Sequence, residues 1–249
     1  IPMAFKGKTQ EAFIPHFDLI AHAEEFSKQT DEFTEEIAKQ FAKLAKKNNT
    51  WVIPNLSNLV RIFEQSRSLE NISDLKSFKY VHPLMQDKWI TSNSYNKGTN
   101  PKRVSYYQEL VDFHITLIKA FKKEGVTMLA GTDAGLSGIV WGFSLHDELK
   151  LLVDAGLSTE EALASATRLS ATWLEIDDKI GTVEVGKFAD LLLLNANPLD
   201  DISNTQEISG VFVNGNWVDK EKIDAILFDL EEKNKLNKDK LLWKNRRDY

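Results

Sequence analysis

Residues 126–149, VTMLAGTDAGLSGIVWGFSLHDEL, constrain this chain more than any other stretch. An apolar run ends on a glycine-bracketed aspartate, Gly131-Thr132-Asp133-Ala134-Gly135. A glycine-studded loop follows, and then a helix that opens Ser144-Leu145-His146-Asp147-Glu148. That order reads as strand, loop, helix. An acidic residue where a buried strand meets a loop is costly unless its charge is compensated, and a metal ion or a catalytic role is the usual compensation. Asp133 is therefore the first candidate for chemistry.

The same pattern recurs upstream. Residues 17–21 read as a short strand, and the polarity changes sharply at His22-Ala23-Glu24-Glu25. Residues 34–47 predict a helix, with Phe33, Ile37, Phe41, Leu44 and Ala45 on one apolar face. Residues 51–56 predict a strand that leaves its sheet near Pro54. Residues 57–66 read as helical. Residues 103–124 form a strong helical pattern with Tyr107, Val111, His114, Ile115, Ile118 and Phe121 in its stripe and Gly125 as its C-terminal cap. Ser158-Thr159-Glu160-Glu161 is a capping box that opens a helix to about Ser170. Alternating strands and helices imply parallel strands with crossover helices. In such sheets ligands collect at the C-terminal strand ends, where His22 and Asp133 both lie.

Between these units, residues 68–101 carry Pro83, Gly98 and many Asn and Ser, and read as a long irregular connection. Its aromatics, Phe78, Tyr80, Trp89 and Tyr95, either line a pocket or pin the loop down. At the N-terminal end, residues 9–13 predict a short helix. After Gly181 the character turns to β-ribbon: a turn-rich stretch to Asp190, a buried strand at 191–194, and a hairpin at 211–218 turning on Asn214-Gly215. The expected divisions are 1–178, 179–219 and a charged helical tail at 220–249.

The absence of cysteine among 249 residues excludes disulfides, zinc–thiolate sites and a cysteine nucleophile, so any metal must be held by His, Asp or Glu. A net charge of −6, with no basic cluster beyond short runs such as Lys46-Lys47 and residues 244–247, argues against nucleic acid as the main partner. No apolar run reaches the roughly 20 residues that span a bilayer. A soluble protein is expected, with its compartment unassigned. Ile1-Pro2-Met3 does not read as a natural start, so the chain reads as a fragment.

A strand-end histidine and a strand-end aspartate on units of one parallel array can share a divalent metal. Two residues do not complete a site. The phrases GTDAG, GFSLHDEL, LVDAGLSTEEAL, GTVEVGKFADLLLL and NPLDDI, in that order, resemble the C-terminal half of the amidohydrolase superfamily, its imidazolonepropionase-like and Xaa-Pro dipeptidase-like branch. FDLIAHAEEF resembles the sixth barrel strand of that branch, and the similarity covers roughly residues 15–218.

The resemblance implies an α/β fold: the C-terminal part, strands six to eight, of a (β/α)8 barrel, plus strands of a small β-sandwich. It implies His22 and Asp133 as ligands of Zn2+ or a similar divalent metal, one or two ions in the full-length enzyme. Asp133 would also shuttle the proton of the attacking water. The implied substrate is a dipeptide, N-acyl amino acid or small cyclic amide. Trp141, His146 and Glu24 are further candidates for substrate contact or for support of the site. The family's His-x-His, the bridging lysine or glutamate of strand four and the strand-five histidine have no counterpart here. The fragment is therefore expected to be inactive alone and to need the missing barrel segment, a partner copy or altered packing. A non-catalytic remnant or binding module that keeps the fold is the alternative.

Overall fold

The computed structural model describes residues 14–98 and 100–247; the expected helix at 9–13 lies outside them. After a 3-10 turn at Ile14–His16 the order is β1 (Leu19–Ala21), α1 (Glu24–Ser27), α2 (Glu35–Lys47), β2 (Trp51–Ile53), α3 (Leu56–Arg67), α4 (Glu70–Ser73), α5 (Pro83–Thr91) and α6 (Pro101–Glu124). A short extended segment at 126–130 leads to α7 (Ser144–Asp154), α8 (Thr159–Ala166) and α9 (Arg168–Trp173). Then come β3 (Leu191–Leu194), β4 (Ile208–Val213), β5 (Asn216–Asp219) and α10 (Lys220–Asn237).

β1 and β2 pair in parallel, Ile20 opposite Val52. The 126–130 segment joins the far edge of β2 through one parallel bridge, Val52 to Met128, in which the Val52 N–H donates to the Thr127 carbonyl at 3.0 Å and the Leu129 N–H to the Val52 carbonyl at 2.9 Å. Its pairing is shorter than expected because the chain leaves β2 at once: the Ala130 N–H turns to the Ser165 carbonyl at 3.1 Å, on α8.

The core lies between this parallel sheet and helices α1, α2 and α6. Phe26, Phe41, Phe113, Leu117, Ile118 and Phe121 are all buried there. Phe26 meets Phe41 edge-on, with centroids 5.5 Å apart, and tilts against Phe121 at 5.0 Å. Both helix terminators follow the sequence: Gly125 adopts φ +72° at the end of α6, and Ser158 with Glu161 completes the capping box of α8.

Two expectations are corrected. The 68–101 connection is not irregular throughout: His82 caps α5 through Nδ1, with Pro83 at its first position. Most of its aromatics pin it down. Trp89 is buried with Ile72, Val81 and Val140, and Tyr80 stacks on Phe143 at 5.3 Å. The 191–194 strand is not buried: Leu192 and Leu193 are 50% and 51% exposed. It is the edge of a three-stranded antiparallel sheet ordered β3-β4-β5. Within that sheet the Trp217 ring lies over Gly210, where any Cβ would collide with it. Asp190 holds the hairpin, its Oδ1 accepting from the Asn214 N–H at 2.7 Å.

The C-terminal segment is also more than a charged tail. α10 packs against the 68–101 excursion, with the Asn234 amide donating to the Lys79 and Val81 carbonyls at 2.9 and 3.1 Å and Glu231 pairing with Lys79 at 2.7 Å.

Candidate active site

Each of the three parallel segments leaves the sheet through a non-glycine residue in the left-handed region: His22 (φ +70°) after β1, Asn55 (φ +53°) after β2, and Asp133 (φ +55°) after 126–130. Such residues are a few per cent of non-glycine positions, with His, Asn and Asp enriched among them. Three at one end of one sheet mark a strained rim, and strain of this kind clusters at functional sites.

His22 is anchored through its backbone. Its N–H donates to the Ile53 carbonyl at 2.7 Å, and its carbonyl accepts from the Glu25 N–H at 3.0 Å. The imidazole is half-buried. Glu24 opens α1 and pairs with Lys28 at 3.1 Å.

Asp133 reaches the rim because Gly131 permits it. A Cβ on Gly131 would sit 2.5 Å from Ile53 Cγ2, so only glycine lets the chain cross the end of β2 toward Asn55. With its amide oriented to satisfy both neighbours, Asn55 donates to the Ile53 carbonyl at 3.0 Å and accepts from the Asp133 N–H at 3.1 Å. The Asn58 amide donates to Asp133 Oδ2 at 3.3 Å. Asp133 itself is exposed, which corrects one sequence argument: water solvates its carboxylate, and burial does not demand a counter-charge.

The Asn55–Asn58 turn is in turn clamped by Glu148, on α7. This fully buried carboxylate accepts from the Leu56 N–H at 3.0 Å and the Ser57 N–H at 2.6 Å, closing the N-terminus of α3 in place of a side-chain cap. Burial pushes the Glu148 carboxyl up to about 7, against the two N–H donors that favour its charged form. Arg61 adds a second tie between the helices, reaching Glu64 at 2.7 Å and Asp147 at 3.0 Å.

Trp141 lies over Gly135, two residues beyond Asp133, and is 57% exposed. His146 faces the other way, Nδ1 sharing a 2.8 Å hydrogen bond with Thr205 Oγ1 of the 3-10 turn Ile202–Gln206. Burial holds its imidazole below the usual histidine range, partly offset by Asp147. The structure thus ties Asp133 to Asn55 and Asn58, while His146 tethers α7 to the connection between β3 and β4. His114 is a core residue, buried in α6 with Nε2 3.2 Å from Ser27 Oγ.

The sequence alone assigns no site role to Asn55, Asn58 or Glu148. Glu148 left a signal: it falls at the i+4 position from Ser144 on the stripe continued by Leu149 and Leu152, and an acid on an apolar stripe needs a partner. Asn58 left none, because nothing in the local pattern links it to a residue 75 positions away.

Imidazole and carboxylate suit zinc and similar ions. Among the described residues, however, no group of three or more His, Asp and Glu side chains gathers to hold one. The described residues alone therefore do not fit a closed metal site. What they do supply is a solvated carboxylate, fixed in backbone and side chain, on the same sheet rim as a strand-end histidine. Such a carboxylate can accept and return a proton.

Known proteins are similar to this chain in sequence or in fold. The chain is 35% identical over 108 residues to a 5'-deoxyadenosine deaminase of Methanobrevibacter smithii, a match covering 42% of this chain and 25% of that protein. The fold is similar to a bottromycin amidohydrolase (TM-score 0.69, 21% identity, 94% of this chain and 52% of the other). It is similar also to a Xaa-Pro dipeptidase with methionine bound in its active site (TM-score 0.55, 21% identity, 81% and 44%). The chain thus spans about half the length of these structures and a quarter of the deaminase. The amidohydrolase family model matches residues 18–218, from just before β1 to the end of the antiparallel hairpin, and the chain belongs to the amidohydrolase family.

Proposed function

We propose that this chain is the C-terminal part of a hydrolase that cleaves C–N bonds in small substrates, dipeptides or N-acyl amino acids among them. One observation carries this reading: Asp133 is held at the sheet rim by Asn55 and Asn58, with its carboxylate open to solvent. In the proposed reaction Asp133 takes a proton from the attacking water and passes it to the leaving amine, while Asn58 keeps Oδ2 fixed so that the proton moves at one defined oxygen. The family resemblance implies Zn2+ or a similar divalent ion, with His22 and Asp133 among its ligands; when bound, it would lower the pKa of a water. The three parallel segments are proposed as strands six to eight of a (β/α)8 barrel. The antiparallel sheet is proposed as part of a β-sandwich, with divisions near residues 178 and 219.

The test is a dipeptide hydrolysis screen with metal analysis on the full-length protein. Asp133→Asn should lower turnover by at least about 10²-fold with folding nearly unchanged; retained activity refutes the assignment. The chain of 249 residues alone, with added zinc, should hydrolyse nothing. The similarity to a deaminase supports a second substrate type, an amine on a ring carbon, and a screen that includes 5'-deoxyadenosine separates the two. If the full-length protein neither takes up metal nor turns over any substrate, a non-catalytic binding module is the correct reading.

A further inference from the structure

Arg103 stands near the start of α6 as a positioned cation without a carboxylate. Its Nη2 donates to the Ser94 carbonyl at 3.0 Å and to the Tyr107 hydroxyl at 3.3 Å, and its Cζ lies 5.5 Å from the Tyr107 ring centroid. These contacts orient the guanidinium plane. Among the described residues Nε and Nη1 have no hydrogen-bond partner, and no Asp or Glu pairs with Arg103. With both Nη2 hydrogens engaged, Nε and Nη1 remain to give a carboxylate single charge-assisted N–H···O bonds.

The segment that holds Arg103 is bolted to the Asp133 loop. Asn93 Oδ1 accepts from the Tyr95 and Asn96 N–H groups at 2.8 and 2.9 Å, and its amide donates to Gln65 Oε1 at 2.8 Å. Gln65, buried, donates in turn to the Ser137 carbonyl at 2.9 Å, four residues beyond Asp133. Asn96 closes the clamp by donating to the Gln65 carbonyl at 2.8 Å. Tyr95, between Ser94 and Asn96, is half-buried. Burial raises its phenol pKa, with Tyr107, Glu24 and Asp133 adding to the effect, so the hydroxyl stays a donor near the candidate active-site carboxylates.

We propose that Arg103, oriented by Tyr107 and Ser94, binds a free carboxylate of the substrate at the mouth of the Asp133 site. The proposal rests on the hydrolase reading for the identity of the ligand as substrate. It adds a specificity-determining residue at the start of α6, held by the 68–101 excursion, that selects among the proposed amides those with a free carboxylate.

Calorimetry on the full-length protein tests this without turnover, using N-acetyl-phenylalanine and N-acetyl-phenylalanine amide as probes. The wild type should bind the acid at least about 10-fold more tightly than the amide, the range a charge-assisted pair provides. Arg103→Gln should erase that preference by weakening acid binding alone, and Arg103→Lys should recover part of it. Tyr107→Phe, which keeps the ring and removes the hydroxyl, should weaken the acid about 3-fold. Equal binding of both probes by the wild type, binding of neither, or an Arg103→Gln loss shared equally by acid and amide overturns the proposal. Turnover is scored separately: a protein that discriminates the acid through Arg103 yet hydrolyses nothing keeps the recognition site and loses the hydrolase reading.

Discussion

The parallel region and the antiparallel ribbon are built from similar side chains and treat them in opposite ways. Around β1, β2 and residues 126–130, phenylalanines and branched aliphatics vanish from solvent because α1, α2 and α6 cover the sheet. In the ribbon, Leu192 and Leu193 stay half exposed and Val183 is 83% exposed. Intrinsic strand preference is the same in both places; what differs is the presence of a covering layer. A sheet buries a face only when another layer packs on it, so four consecutive leucines describe a strand without describing its burial.

The sharpest way to break this contrast is a pair of truncations read by urea denaturation. Phe121→Ala, at the centre of the parallel core, should cost about 3–5 kcal/mol. Glu148→Ala should come next, at about 2–4 kcal/mol, because it strands two buried N–H donors at the start of α3 and opens a cavity. If Glu148→Ala proved neutral, the clamp would not hold the Asn55–Asn58 turn.

Protonation gives a graded version of the same test. Burial lowers His114 to about 3. Its folded pKa lies below its unfolded value, so the stabilising effect is complete above about pH 6.5. It is lost as pH falls toward 3, at about 1.4 kcal/mol per pH unit, because the unfolded chain binds the proton first. His114→Phe should flatten that slope. A wild-type profile that is already flat would show that the interior around Ser27 and His114 admits water.

The smallest effect belongs to the ribbon. Leu193→Ser in this chain should change stability by no more than about 0.5 kcal/mol. The same change in the full-length protein sharpens the comparison, because a cost above about 2 kcal/mol there would reveal a layer over the ribbon contributed from outside these residues.

The helices were the most legible part of the sequence. The 3.6-residue stripe of α2, the Gly125 cap and the Ser158–Glu161 box are local signals, and each is set by neighbours within one or two turns. The rim was half legible: His22 and Asp133 stand where apolar runs end, a pattern visible along the chain. Asn58 could not be read, because its role depends on Gly131 letting a distant segment cross Ile53 and bring Asp133 within 3.3 Å of its amide. Arg103 was equally silent, one cation among 31 lysines and arginines until Gln65 tied its loop to Ser137.

By itself, then, the sequence determined which segments are helical, that two strand-like runs end on polar residues, and which family's phrases the chain carries. These depend on periodicity and on residue identity, both of which are properties of neighbours. The tertiary structure alone decided which of those polar residues meet, that the Asp133 carboxylate faces water, and that the ribbon's leucines are not covered. Those outcomes depend on long-range packing between layers, whose geometry no local pattern encodes.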